Sequence, residues 1–231
     1  MTTHFIQALV DLELMLAEVA ARSEKAVHLA IGAVEMNNID AARGVIFNDS
    51  FIDQAEIRIE EECLKILALY QPLAGDLRRV ITILKVNSEL ERVGDLAVNI
   101  AERVEDMSFY QERMVEKFDF RDMVNQACSM LKKVLDALSS HDRATAAAVI
   151  AEDDQIDAIH RGNYGKVRDL ILEHPDFSAY YMDCLTISRC LERIADIATN
   201  SAEDVIYLES GQIVRHAHEG ENHGQTKNSD R

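Results

Sequence analysis

The residues of this chain whose types and spacing could do chemistry are four acidic pairs of the form Asp/Glu-x-x-x-Asp. They are Asp49 and Asp53, Glu91 and Asp95, Asp153 and Asp157, and Glu192 and Asp196. Residues four apart stand one helical turn apart on one face, so each pair projects two carboxylates in one direction. Two unit charges about 6 Å apart repel by roughly 3 kcal/mol at an effective dielectric of about 20, so converging carboxylates call for a cation. A set of hard oxygen donors suits Mg, Mn, Ca or Fe better than a zinc tetrahedron built on His and Cys.

One such pair on a helix is ordinarily a solvated face. Duplication argues otherwise. The segment Leu90-Glu91-Arg92-Val93-Gly94-Asp95-Leu96-Ala97-Val98-Asn99 returns as Leu191-Glu192-Arg193-Ile194-Ala195-Asp196-Ile197-Ala198-Thr199-Asn200, with differences that read as changes of size among small or apolar residues. Upstream of each copy lies an Asp-x-x-x-Asp, in Asp49-Ser50-Phe51-Ile52-Asp53 and in Asp153-Asp154-Gln155-Ile156-Asp157. A repeat at this period means two copies of one supersecondary unit. The polar residues it keeps point to ligand duty, although Arg92 and Arg193 could simply pair with acids, and Gly94 and Ala195 could serve close helix approach.

The elements that must position these acids read as helix throughout. Apolar residues recur at three and four, predicting helices near 4–35, 39–69, 73–107, 113–139, 142–173 and 177–209. No segment alternates as a strand. Asn37-Asn38, Gln71-Pro72, the region around Gln111, Ser139-Ser140-His141 and His174-Pro175 supply the breaks. Pro72 and Pro175, the two prolines, hold equivalent places before the two motifs and are expected to open helices, where a missing N–H costs nothing. The expected fold class is all-α: two tandem antiparallel three-helix bundles, over 1–109 and 110–210, with a polar and disordered tail over 211–231.

On a wheel of about 100° per residue, Glu91, Asp95, Asn99 and Glu102 fall within about 80° of one another. Val86, Val93, Leu96, Ile100 and Val104 lie opposite. Glu192, Asp196, Asn200 and Glu203 make the same stripe in the second copy, opposite Ile187, Ile194, Ile197 and Val205. The acids therefore face outward or into a groove. If the upstream pair sits on a neighbouring helix, four carboxylates converge on one patch per bundle.

Composition narrows the partners. The 231 residues are 48% hydrophobic and carry a formal charge of -17. After Gly211 three basic residues balance three acidic ones, so the excess belongs to the folded body. Such a surface repels phosphate backbones and anionic lipid, which argues against direct nucleic-acid binding and leaves cations or basic partner surfaces. Asp11, Glu13 and Glu18 interrupt the N-terminal apolar pattern, against a signal peptide, and no apolar run approaches the eighteen or so residues of a membrane span. The expected location is the cytoplasm. Cys63, Cys128, Cys184 and Cys190 lack a C-x-x-C spacing and read as reduced packing residues. His216, His218 and His223 in the tail have neither helical phase nor a ligand spacing.

At this point the chain resembles the PhoU family of phosphate-signalling regulators. The resemblance rests on Ile59-Glu60-Glu61-Glu62-Cys63-Leu64, on Gln71-Pro72-Leu73-Ala74-Gly75-Asp76-Leu77-Arg78, and on Leu90 to Ala101, and it spans roughly 5–210. It implies two three-helix bundles whose E/D-x-x-x-D motifs hold multinuclear surface clusters of iron or zinc, with Asp49, Asp53, Glu91 and Asp95 at one site and Asp153, Asp157, Glu192 and Asp196 at the other. It implies no enzymatic activity. It further implies a cytoplasmic, often homodimeric negative regulator of phosphate uptake and of the phosphate-starvation response, linking a phosphate ABC transporter to a sensor histidine kinase. The second half shows His174-Pro175-Asp176-Phe177-Ser178 in place of the Gln-Pro string, so the halves are expected to differ in partner contacts.

Two other classes compete with this reading. A ferritin-like carboxylate-bridged di-metal oxidase needs inward-facing Glu-x-x-His motifs on two helices. Only Asp157-Ala158-Ile159-His160 comes close, and its counterpart Asp53-Gln54-Ala55-Glu56 lacks the His. A helical scaffold whose acids never meet metal would melt at one temperature with or without chelator.

Overall fold

The computed structural model describes residues 3–111 and 117–212. Six long helices account for nearly all of them, with no strand among the described residues: α1 Thr3–Met36, α2 Ile39–Tyr70, α3 Ala74–Gln111, α4 Arg121–Ser140, α5 Arg143–Glu173 and α6 Ser178–Ser210. The turns at 37–38, 71–73 and 141–142 are too short for anything but antiparallel neighbours. Local chemistry sets their ends. The Asn38 side chain accepts the Ala41 N–H at 3.0 Å, and Asp142 accepts those of Ala144 and Thr145. Gln71 and His141 close α2 and α4 in the left-handed region, and Gly211 (φ 70°) closes α6.

The helices pack as α1, α2 and α3 in one bundle and α4, α5 and α6 in a second. Val86, Val93, Leu96, Ile100 and Val104 of α3 are buried, as are Ile187, Ile194, Ile197 and Val205 of α6, so the apolar stripes face inward as the sequence phase requires. The bundles meet along α3 and α6. Tyr110 at the end of α3 packs edge-on against Phe177 before α6, and Arg78 at the start of α3 donates to the Leu208 carbonyl at 3.1 Å. The two helices therefore run antiparallel. Between those ends Lys85 pairs with Asp204 at 3.0 Å, the latter only 3% exposed. Buried side chains from Phe5 to Leu208 form one connected cluster through this seam.

Three details depart from the sequence reading. The helix expected from 113 begins at Arg121 instead, with 113–116 outside the described residues. Phe118 and Phe120 are buried in non-helical chain with ring centroids 4.9 Å apart, while Asp119 accepts both the Arg121 backbone N–H and its guanidinium. That local loop satisfies groups a longer helix would have used. Pro72 stands two residues ahead of α3, not at its first position, and Pro175 opens a 3-10 turn over Pro175–Phe177 that leads into α6. The tail expected to be disordered lies outside the described residues beyond Gln212, with its three histidines. All four cysteines are free and buried, and burial pushes the Cys63, Cys128 and Cys184 thiols up to about 12, as packing residues require.

Candidate metal centres

In the first bundle Asp49 and Asp53 ride on α2 and Glu91 and Asp95 on α3. Ile52 of α2 packs on Gly94 of α3, and Ala55 and Ile59 on the same α2 face are buried with it, so residues flanking that face are carried to the rim of the seam. Asp49 and Glu91 are half-buried there, and Asp53 and Asp95 are exposed. Gly94 makes the close approach possible. A Cβ at that position would lie 3.0 Å from the Asp49 Oδ1 and 3.1 Å from the Ile52 Cδ1, so the missing methyl is the space that the Asp49 carboxylate uses.

The four groups feel one another. Burial, then Asp53 and Asp95, pushes Asp49 up to about 6. Glu91 is raised by burial and then by Asp95, Asp53, Glu56 and Asp49. Neither receives a compensating positive charge. Among the described residues none of these four carboxylates accepts a hydrogen bond or ion pair, so their lone pairs are left to solvent or a cation.

The second bundle repeats the placement on α5 and α6 but answers part of the charge itself. Burial, then Glu192, Asp153 and Asp157, raises Asp196 to about 6, against a lowering by Arg193. Glu192 is raised by burial and by Asp157, with Arg189 and Arg193 opposing. Thr199 donates to Asp153 at 3.2 Å, and Arg161 pairs with Asp157 at 3.3 Å. Thr199 occupies the place of Val98, a difference that looked like one of size and is in fact a new donor. Ser188 and His160 also escaped notice as a pair: the His160 Nδ1 lies 2.9 Å from the Ser188 Oγ, where the first bundle has Glu56 and Asn87. Burial holds the His160 imidazole below its ordinary range.

The structure thus brings all eight expected residues onto two faces, four on each. As they stand, no three His, Cys, Asp or Glu side chains among the described residues are drawn close enough to hold one metal ion. The donor chemistry nevertheless suits a hard or borderline cation: raised carboxylates, unneutralised in the first bundle, on helices stiff enough to present them. Arg92, which shares the motif, pairs instead with Glu89 at 3.1 Å, and Asn99 and Asn200 point to solvent as exposed residues.

Fold and faces together define an all-α protein made of two copies of a three-helix unit, each bearing an acidic face on its second and third helices. The PhoU domain model matches residues 16–104 and again 120–205, one copy per bundle. The chain belongs to the PhoU family. It is 34% identical over 187 residues to the phosphate-specific transport system accessory protein PhoU of Edwardsiella tarda, covering 81% of this chain and 76% of that one. To the PhoU homolog of Pseudomonas aeruginosa it is 35% identical over 193 residues, 84% of this chain and 80% of that one. The crystal structure of PhoU from Pseudomonas aeruginosa superposes with a TM-score of 0.84 at 32% identity, covering 90% of this chain and all of that one. The phosphate transport system regulatory protein PhoU from Streptococcus pneumoniae gives 0.83 at 29% identity, covering 91% and 99%.

Proposed function

We propose that this chain is a non-enzymatic accessory of phosphate transport, a cytoplasmic metal-binding adaptor that restrains phosphate uptake and the phosphate-starvation response. The names of its relatives support the phosphate assignment, and nothing in the residues themselves spells phosphate. The observation that carries the metal part is the pair of matched carboxylate faces, with Asp49 and Asp196 both pushed up to about 6. The partners of this reading are the phosphate ABC transporter, its sensor histidine kinase and a second copy of the chain. No direct nucleic-acid contact belongs to it, and the membrane is reached through those partners.

Asp49, Asp53, Glu91 and Asp95 would hold metal on the first bundle, and Asp153, Asp157, Glu192 and Asp196 on the second, with iron, zinc, manganese and magnesium the ions to test. A bound cation supplies the positive charge these faces lack. The helices do the rest: α2 and α3, or α5 and α6, present the acids at fixed separation, so neutralising them turns a repellent surface into one that can dock. Because the acids lie off the apolar stripes, removing one costs little fold stability.

The test is elemental analysis of the full chain purified without a metal-affinity tag, beside an Asp95→Ala and Asp196→Ala double variant. Stoichiometric transition metal in the first, lost in a variant with an unchanged circular dichroism spectrum, is the expected result. Metal-free protein after incubation with iron, zinc and manganese would remove the metal from the proposal. Pull-down of the transporter's nucleotide-binding subunit and of the kinase then tests the adaptor role, and recovery of neither would sink it.

A further inference from the structure

The repeat pairs the α1/α2 seam of the first bundle with the α4/α5 seam of the second, and the two seams are finished differently. Their turns correspond, Asn37 and His141 in the left-handed region followed by the N-caps Asn38 and Asp142, so positions match at a constant offset. The second seam is stitched across. Lys133 pairs with Glu152 at 2.7 Å, and the Gln126 amide donates to the Glu152 carbonyl and to the Gln155 side chain, each at 3.4 Å. Met130, on the same helix as Gln126 and Lys133, is fully buried.

The first seam has other residues at each place. Leu29 and Asn48 stand for Lys133 and Glu152, Arg22 and Phe51 for Gln126 and Gln155, and half-buried Ala26 for Met130. Asn48 turns back to the Gly44 carbonyl at 2.7 Å and Arg22 to Glu18 at 2.7 Å, each on its own helix. A smaller side chain and unbridged rims leave space, and a groove of about 500 Å3 lies between α1 and α2. Ala26, Leu29, Val45, Phe51 and Ile52 give it apolar walls. Leu29 and Phe51 are each nearly half exposed, and Phe47, one turn before Phe51, is 74% exposed. A run of large apolar side chains held in water beside a groove marks an interaction site. From Glu18 to Leu29 the groove follows α1 for about 16 Å, three turns of helix, which suits a third helix laid along the first two.

Charge selects which helix. Arg22 and Lys25 line the groove, and the charge of Arg58 reaches Glu18 at its rim. Among the described residues Lys25 makes no ion pair or hydrogen bond. Of the two acids in the walls, Glu18 is answered by Arg22, and Asp49 belongs to the first acidic face. Screening over about 8 Å at physiological ionic strength lets an incoming group meet these local cations rather than the net charge of -17.

We propose that the α1/α2 groove docks an amphipathic helix of a partner protein, its apolar residues recurring at three and four and its flank of carboxylates meeting Lys25 and Arg22. The site needs no metal, so it goes beyond the reading of the acidic faces. In the second bundle the bridges of Lys133 and Gln126 occupy the corresponding place.

The experiment measures fluorescence anisotropy of two stapled, labelled peptides of about five helical turns with the full chain, one carrying Leu at three and four with Glu on the flank, the other with Lys in place of Glu. The Glu peptide is expected to bind saturably and at least about tenfold tighter than the Lys peptide, with Lys25→Glu reversing the order. Leu29→Lys with Asn48→Glu, which builds the Lys133 and Glu152 bridge into the first bundle, should abolish binding with an unchanged circular dichroism spectrum. Phe51→Gln, a change at an exposed position, should weaken it about tenfold or more on a folded chain. No saturable binding of the Glu peptide, equal binding of both peptides, or binding that survives the built bridge and Phe51→Gln overturns the proposal. So does a dimer in sedimentation that Phe51→Gln dissociates while the peptide fails to bind, which would give the groove to a second copy of the chain. Metal content plays no part in these readouts, so failure here leaves the acidic faces standing.

Discussion

Asp49 occupies the space that Gly94 leaves on α3, and the consequence can be tested at that residue. Gly94→Ala gains about 1 kcal/mol of helix propensity but forces a Cβ to 3.0 Å from the carboxylate and 3.1 Å from Ile52, an overpacking that costs roughly 1–3 kcal/mol. The expected net change is a destabilisation of about 1 kcal/mol in urea unfolding, with metal lost from the first centre and kept in the second. A more stable variant that keeps both metals would show that the close approach has no role. That the eight acids fall on two matched helical faces was legible in the sequence, because duplication at helical spacing marks them, whatever surrounds them. Thr199 and Ser188 were not. A hydroxyl next to a motif has no spacing of its own, and only the antiparallel register of α5 against α6 brings it to Asp153 or His160.

At the scale of the helices, α3 and α6 carry both the motifs and the seam that joins the bundles. Lys85 reaches across it to Asp204, with its ammonium also over the Tyr207 ring at 5.4 Å. Loss of one partner of a buried ion pair costs about 3–5 kcal/mol, less where one side reaches solvent, as the Lys85 side chain does. Lys85→Ala is therefore expected to lower unfolding free energy by about 2 kcal/mol and to raise hydrogen exchange along the α3 and α6 seam before either bundle opens. Unaltered exchange at the seam would mean that apolar packing alone sets the register of the bundles. Helix number and phase were readable because apolar residues recur over thirty or more residues per element. The start of α4 was not, since Phe118 and Phe120 continue the apolar pattern as core plugs on a loop held by Asp119, and periodicity cannot distinguish the two.

For the whole molecule, charge and protons set a stability profile, and the proposed metal would reverse it. Asp49 and Asp196 are raised to about 6 by burial and like charges, and Glu91, Asp153 and Glu192 are raised as well. A carboxyl raised on folding contributes stability that is complete below its unfolded pKa and is lost as pH rises through the folded value. The formal charge of -17 adds general repulsion in the same direction. Opposing them at low pH are Asp119, held down to about 2 by Arg121, and Asp142, lowered by the Thr145 contacts; their contribution is present above the unfolded pKa and lost as pH falls through the folded one. The metal-free chain is therefore expected to be most stable near pH 4 and to lose melting temperature chiefly as pH rises from about 4 to about 6.5, where the carboxyls ionise against one another in the folded chain. Saturating divalent metal should abolish that decline, because ions and protons compete for the same oxygens and the ion wins as the pH rises. Asp49→Asn and Asp196→Asn together should flatten the metal-free curve above pH 5 and make the melting temperature insensitive to metal. A metal-free curve that rises steadily from pH 4 to pH 7.5 would mean that these carboxylates do not face one another as the two bundles place them.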